Sequence, residues 1–205
     1  MATKKPVDCL IAGGGYVGLS VAVAVKDAAP HLNVMLVDAA PEAALSKDER
    51  ASAIAAAASR MLDKLGLWQD LLKDAQPISE MIVTDSRTSD PVRPVFLTFG
   101  DATKDDNEPF AHMVPNKSLV GALRKKAKAL GIDILHGETV ADFKTSDPTT
   151  SVTLGSGDTI NTRLLIAADG VRSSLRELAG IKTVEWAYDQ MGLVTTVQHE
   201  RPHEG

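Results

Sequence analysis

Asp8-Cys9-Leu10-Ile11-Ala12-Gly13-Gly14-Gly15-Tyr16-Val17-Gly18 is the stretch that decides the fold. Val7 to Ala12 is a short apolar run suited to a central parallel strand. The glycines follow at once in the pattern G-x-G-x-x-G, and Tyr16 to Ala28, rich in Val and Ala and free of breakers, reads as a helix closing near Pro30. Each glycine has its own physical reason. Gly13 permits a tight turn out of the strand, Gly15 leaves room for a pyrophosphate to approach the backbone, and Gly18 lets the helix pack closely on the strand. The helix start then offers unpaired N–H groups and a partial positive charge to phosphate.

Asn33 to Asp38 is a second buried strand, which completes a βαβ unit. Asp38 ends it about twenty residues past the loop, where a carboxylate accepts hydrogen bonds from an adenosine ribose and repels a 2′-phosphate. The residues therefore predict FAD or NAD on this loop and leave the choice between the two open. A lone glycine motif is weak evidence; the strand before it and the helix after it supply the context that strengthens it.

Downstream, an Ala-rich helix is expected over Ala51 to Leu65, stopped at Gly66. Ser79 to Ser86 and Val92 to Phe99 read as paired strands, and 101–109 as an acidic exposed loop. A helix follows from Asn116 to Leu130, then a strand at Ile132 to Leu135. Thr139 to Lys144, Ser151 to Leu154 and Thr159 to Arg163 form an antiparallel group with turns at Asp147-Pro148 and Gly155 to Asp158. Leu164 to Ala168 is a further buried strand ending at Asp169-Gly170, with a helix from about Ser173 that Ser173 or Ser174 can cap. Val184 to Val197 reads as strand-like. The fold class expected is α/β: a Rossmann-like domain with a mostly parallel sheet, plus a small antiparallel portion.

Composition narrows the function. The 205 residues carry a net charge of -5, which argues against nucleic acid as a partner. The one basic cluster, Arg124-Lys125-Lys126 with Lys128, reads as a solvated helix face. Cys9 is the single cysteine, so internal disulfides and dithiol redox chemistry are excluded for these residues. Lys4 and Lys5 precede the first apolar run, but the glycines break it, so it reads as strand and turn rather than a signal peptide. No run approaches the roughly 18 apolar residues of a membrane span. His199 and His203 make a weak metal pair with Pro202 between them, and Asp105, Asp106 and Glu108 read as loop solvation. Asn116-Lys117-Ser118 matches a glycosylation acceptor, a match of no consequence without secretion. No metal site and no catalytic base stand out.

Three further features favour flavin: Arg50 in Asp48-Glu49-Arg50-Ala51-Ser52-Ala53, Asn116 at a helix start, and Asp169-Gly170 at a carboxyl edge of the sheet. With Leu65-Gly66-Leu67-Trp68, Ala168-Asp169-Gly170 and Glu185-Trp186-Ala187-Tyr188-Asp189-Gln190, the chain resembles the para-hydroxybenzoate-hydroxylase class of flavoprotein monooxygenases. Within that class it is similar to the ubiquinone-biosynthesis hydroxylases. The resemblance implies FAD held by Gly13, Gly15, Gly18, Asp38, Arg50, Asn116, Asp169 and Gly170. It also implies NAD(P)H as transient reductant, O2 as oxidant and a small phenolic substrate bearing a polyprenyl tail. A cytoplasmic protein peripheral at the inner membrane face, assembling with other ubiquinone-biosynthesis proteins, would follow.

The domain organisation implied is an FAD-binding domain over 1–180, with strands of 78–115 belonging partly to the substrate domain, and the start of that domain at 181–205. The family's second flavin-contacting segment, Gly-Asp followed by Ala and His, has no counterpart here; Gly157-Asp158 comes too early and reads as a turn. The expectation is an amino-terminal half that holds FAD weakly. An NAD-dependent dehydrogenase, or a non-catalytic dinucleotide-binding module, is the alternative.

Overall fold

The computed structural model describes residues 6–43, 48–87, 89–100, 109–195, 197–203 and 205. The chain divides into two compact units: Met1–Asp48 with Leu119–Leu193, and Glu49–Ser118 with Val194–Gly205.

The first unit is built on β1 (Val7–Ala12), α1 (Tyr16–Ala28) and β2 (Val34–Asp38). The second contains β3 (Ala51–Ala55), α2 (Ala56–Lys64), α3 (Trp68–Leu71), β4 (Gln76–Ile78), β5 (Met81–Thr84), β6 (Val95–Phe99) and β7 (Ala111–Pro115). Helix α4 (Asn116–Ala129) starts in the second unit and continues into the first. β8 (Asp133–His136), β9 (Val140–Ser146), β10 (Thr149–Leu154), β11 (Thr159–Ala167) and α5 (Ser174–Leu178) complete the first.

The main sheet has the order β8-β2-β1-β11-β10-β9. Pairing is parallel from β8 through β11 and antiparallel from β11 to β9. β1 and β2 are buried along nearly their whole length, which is why they read as continuous apolar runs. Leu10, Ala12, Met35 and Val37 alternate onto one face and pack with Val140, Val152 and Leu154 of the β9–β10 arm. The antiparallel arm therefore folds back as a layer over the parallel strands. Helix α1 packs on β1 and β2 through its buried Leu19, Ala22 and Val23. Each such side chain, removed from water, contributes about 1.5–3 kcal/mol for Val or Leu. Cys9 is buried in β1, and burial, seconded by the charge of Asp8, pushes its thiol pKa up. It packs as a small apolar side chain.

The third strand of the antiparallel group and the strand expected over Leu164 to Ala168 are one continuous strand, and its second half is not buried as expected: Leu164 is 53% exposed, and Leu165 to Ala168 are half-buried or exposed because one face of the strand has nothing packed on it among the described residues. β11 pairs with β10 over Thr159–Thr162 and with β1 over Thr162–Ala167.

In the second unit, β3-β7-β4 form an antiparallel sheet and β5-β6 a hairpin. Here the helix expected over Ala51 to Leu65 needs correction. Its first five residues are β3, paired from Ala51↔Pro115 to Ala55↔Ala111, and only Ala56–Lys64 is helical. Five ladder partners on β7 outweigh alanine's helix preference, a fraction of a kcal/mol per residue. Gly66, at φ +67°, ends the helix in the left-handed conformation glycine tolerates. Trp68 is buried with its ring edge-on to His112, centroids 5.0 Å apart. The strand expected over Val184 to Val197 is also absent: the described residues there are extended or irregular, without ladder partners. No helix of the described residues is long and apolar enough to cross a membrane. Asp105, Asp106 and Glu108 lie outside the described residues.

Candidate dinucleotide-binding site

The β1–α1 loop is shaped by close approaches. Gly13, at φ +114°, sits so near the next strand's end that an added Cβ would lie 2.1 Å from the Ala168 carbonyl oxygen. At Gly18 the same atom would lie 1.9 Å from the Gly13 carbonyl oxygen, so the helix start presses on the turn. Gly15 differs: nothing lies within 4 Å of its added Cβ, and its φ of -73° is open to any residue. Gly15 is the N-cap of α1, no side chain caps that end, and the first turn holds no acidic residue. The helix thus begins without a side-chain cap and beside the open space at Gly15, and a first turn whose N–H groups have no intrahelical acceptor suits an anion.

Asp38, at the end of β2, is buried against this loop. An added Cβ on Gly14 would lie 2.2 Å from Asp38 Oδ2, so the middle glycine of the loop is constrained by this carboxylate. Arg124 Nη2 donates to Asp38 Oδ2 at 3.0 Å, Nη1 reaches the Glu42 carbonyl, and the Ala40 N–H donates to Oδ1 at 3.1 Å. The imidazole of His136 lies with Nδ1 3.9 Å from Oδ2. Arg124 is therefore not part of a solvated basic face. Its side chain is 14% exposed and turned inward, while Lys125 and Lys128 are exposed. The guanidinium offsets the cost of burying the carboxylate. Replacing Arg124 with Met should cost about 3 kcal/mol, the low end for a buried pair because both side chains keep some exposure, by leaving Asp38 without its cation. Adding Asp38→Asn in the same chain should recover most of that loss, and urea unfolding of the native chain, the two single variants and the double variant checks it.

Asp169 follows β11 and ties down the start of α5. Ser173 Oγ donates to Oδ1 at 2.5 Å, Ser174 Oγ to Oδ2 at 3.4 Å, and the Leu175 N–H to Oδ2 at 3.2 Å. Ser173 in turn accepts from the Arg176 N–H as N-cap. Burial alone would raise the Asp169 carboxyl, but the bonds from Ser173, Leu175 and Ser174 prevail and hold its pKa below the usual carboxylate value. Its folded pKa is thus below its unfolded one. The resulting stability is present above the unfolded value and lost as pH falls through the folded value. Asp169→Asn should therefore lower the melting temperature near neutrality, with a deficit that shrinks at about pH 3. Thermal melts across that range provide the measurement.

Gly13, Gly15, Asp38, Asp169 and Gly170 line one cavity of about 380 Å³ at the carboxyl edge of the sheet. Glu138 and Thr139, after β8, line it too, and no local motif marks either of them. Gly18 lies beneath the loop. Arg50 and Asn116 belong to the other unit, where the Arg50 carbonyl accepts from the Asn116 N–H at 2.9 Å and Ser52 Oγ donates to Asn116 Oδ1 at 2.7 Å. His199 and His203 stack edge to face, and among the described residues no three potential ligands cluster for a metal.

These residues fit the adenosine diphosphate part of FAD. Gly15 leaves space at an uncapped helix start for the diphosphate. Asp38 uses two of its roughly four acceptor sites, which leaves the acceptor capacity that ribose hydroxyls would require.

The chain belongs to the FAD binding domain family, which matches residues 6–204. It is 37% identical to ubiquinone hydroxylase UbiL of Rhodospirillum rubrum, over 100% of this chain and 46% of that protein. It is 31% identical to the mitochondrial ubiquinone biosynthesis monooxygenase COQ6 of Danio rerio, over 96% of this chain and 43% of that one. The chain thus spans about half the length of these relatives. In fold it is similar to the p-nitrophenol 4-monooxygenase PnpA of Pseudomonas putida (TM-score 0.71, 18% identity, 85% of this chain, 44% of that one). The flavin-dependent monooxygenase PieE, solved with FAD and substrate, gives a TM-score of 0.68 at 19% identity, over 88% of this chain and 33% of that one.

Proposed function

We propose that this chain supplies the adenosine diphosphate cradle of an FAD-dependent monooxygenase that hydroxylates the aromatic ring of a polyprenyl phenol in ubiquinone biosynthesis. The observation that carries this reading is the meeting of the Gly15 opening, the buried Asp38 carboxylate and the Asp169-Gly170 turn in one cavity. The similarity to UbiL and COQ6 supports the reaction. In this reading NAD(P)H and O2 convert the ring C–H to C–OH with release of water. Bound FAD would supply the redox chemistry that activates O2.

The residues of this chain bind and orient. The first-turn N–H groups after Gly15 hold the diphosphate, and Asp38 accepts from the ribose. Ala40 and Arg124 fix the Asp38 carboxylate, while Asp169 and Gly170 shape the far wall. Arg50 is assigned to the pyrophosphate and ring system of the flavin, and the helix opened by Asn116 to its border. Residues 1–180 then act as the FAD-binding domain, strands of 78–115 belong partly to the substrate domain, and 181–205 begin the latter. A polyprenyl substrate would bring the protein to the inner membrane face, in assembly with other proteins of the same biosynthesis.

Equilibrium binding of FAD, ADP, FMN and NAD tests the proposal. FAD should bind at least as tightly as ADP, because the cradle addresses their shared part while Arg50 and Asn116 add contacts to the flavin, and FMN, which lacks the adenosine, should bind more weakly than either. Failure of both FAD and ADP to bind would overturn the reading, and binding of NAD without FAD would select a dehydrogenase.

A further inference from the structure

The strand order places four chemistries in line along the carboxyl edge of the sheet: Asp169 after β11, the glycine turn after β1, Asp38 at the end of β2, and Glu138 just after β8. Neighbouring strands lie about 4.8 Å apart, so this line has the pitch of a dinucleotide laid across strand ends. If the diphosphate sits over β1 and the ribose over β2, the base falls over β8. The 137–139 segment is fixed there before any ligand arrives. The Gly137 N–H donates to the Ala40 carbonyl at 3.3 Å, the Glu138 N–H to the Asp38 carbonyl at 3.1 Å, and the Gly155 N–H to the Thr139 carbonyl at 2.9 Å. An added Cβ on Gly155 would lie 2.5 Å from Thr139 Oγ1, so the β10–β11 turn is pressed against the segment.

Within this segment the side chain of Glu138 is itself held. The Thr139 N–H donates to its Oε1 at 2.9 Å and the Ser156 N–H to the same atom at 3.3 Å. Those bonds, the one from Thr139 foremost, keep its carboxyl below the usual range and therefore ionised. They also occupy the Thr139 N–H, which cannot then read a base. Both fall on Oε1, so acceptor capacity remains on Oε2. Glu138 lines the same cavity as Gly15 and Asp38.

We propose that Glu138 is a specificity-determining residue that selects adenine, its carboxylate accepting from the exocyclic 6-amino group of the base. The inference rests on the nucleotide reading above and extends it to the base. An ionised carboxylate only accepts, so it pairs with a 6-amino group and opposes a 6-oxo group. A site built for a donor rejects an analogue that lacks it, because its own polar atom is then left unpaired.

Calorimetric titration with ADP and with inosine diphosphate, which differ at that position in a 6-amino against a 6-oxo group, tests the proposal. The native chain should prefer ADP by about tenfold, the scale of one charge-assisted hydrogen bond. Glu138→Gln retains an oxygen for Thr139 and Ser156 while offering an amide donor to the base. It should erase the preference or reverse it toward inosine diphosphate, an outcome that loss of packing would not produce. Glu138→Ala, if it folds, should bind the two alike. Unchanged ADP preference in Glu138→Gln would overturn the proposal, as would a native chain that binds both nucleotides equally. A native chain that binds neither would overturn the nucleotide reading itself.

Discussion

Gly13→Ala should lower the melting temperature by on the order of 6–12 °C, a large loss of stability for a single methyl group. Two costs combine. At φ +114° an L-residue is strained by about 1–3 kcal/mol. The added methyl would also lie 2.1 Å from the Ala168 oxygen and 2.5 Å from its carbon, backbone atoms that cannot swing aside. Overpacking of that kind costs about 1–3 kcal/mol more. Nor can the turn shift easily, because the Gly13 N–H is bonded to the Val37 carbonyl at 2.7 Å and the Ala168 N–H to the Ala12 carbonyl at 2.7 Å. With a total of about 3 kcal/mol or more, and about 2–4 °C per kcal/mol for a chain of this size, differential scanning calorimetry should resolve the shift easily. A loss below about 1 kcal/mol would mean that the β1 and β11 ends are less closely apposed than described.

Gly15→Val should do the opposite: leave stability within about 1 kcal/mol of the native chain and abolish most nucleotide affinity. Its φ of -73° and ψ of 177° are open to any side chain, and no atom stands within 4 Å of the added Cβ. The new isopropyl group would occupy the space in front of the helix start and keep a diphosphate from its N–H groups. Losing one or two charge-assisted bonds, each worth about 1.5–3 kcal/mol, reduces affinity for ADP or FAD about a hundredfold. Titration of both ligands against the variant, with a parallel melt, measures the two effects separately. A variant that keeps native affinity would place the diphosphate elsewhere. The contrast between Gly13 and Gly15, two residues apart in one motif, separates what the loop needs to fold from what it needs to bind.

The βαβ opening was legible because each of its signals is local. Apolar runs, a glycine spacing and an acidic residue at a strand end need no knowledge of distant partners. The same locality fails at Ala51–Ala55, where strand pairing with Ala111–Pro115 overrides an alanine-rich composition. It fails again at Arg163, where nothing in the residues shows that one strand serves two neighbours. Asp38 could be read from its spacing, but its partner Arg124 lies 86 positions away and resembled its solvated lysine neighbours. That partner also changes the electrostatics. With a guanidinium 3.0 Å away, the carboxylate repels a 2′-phosphate less than an isolated aspartate would. Glu138 carried no signal at all, since its place in the cavity comes from the strand order, which brings β8 beside β2.

Strand β11 couples the fortunes of its two neighbours. Thr162, 1% exposed, is paired with Val7 on one side and Thr150 on the other, so displacing it breaks both ladders at once. Amide protons of β1 and of β10 should then exchange with solvent deuterium through a shared opening event, the mark of a single cooperative block rather than a stable core with a detachable flap.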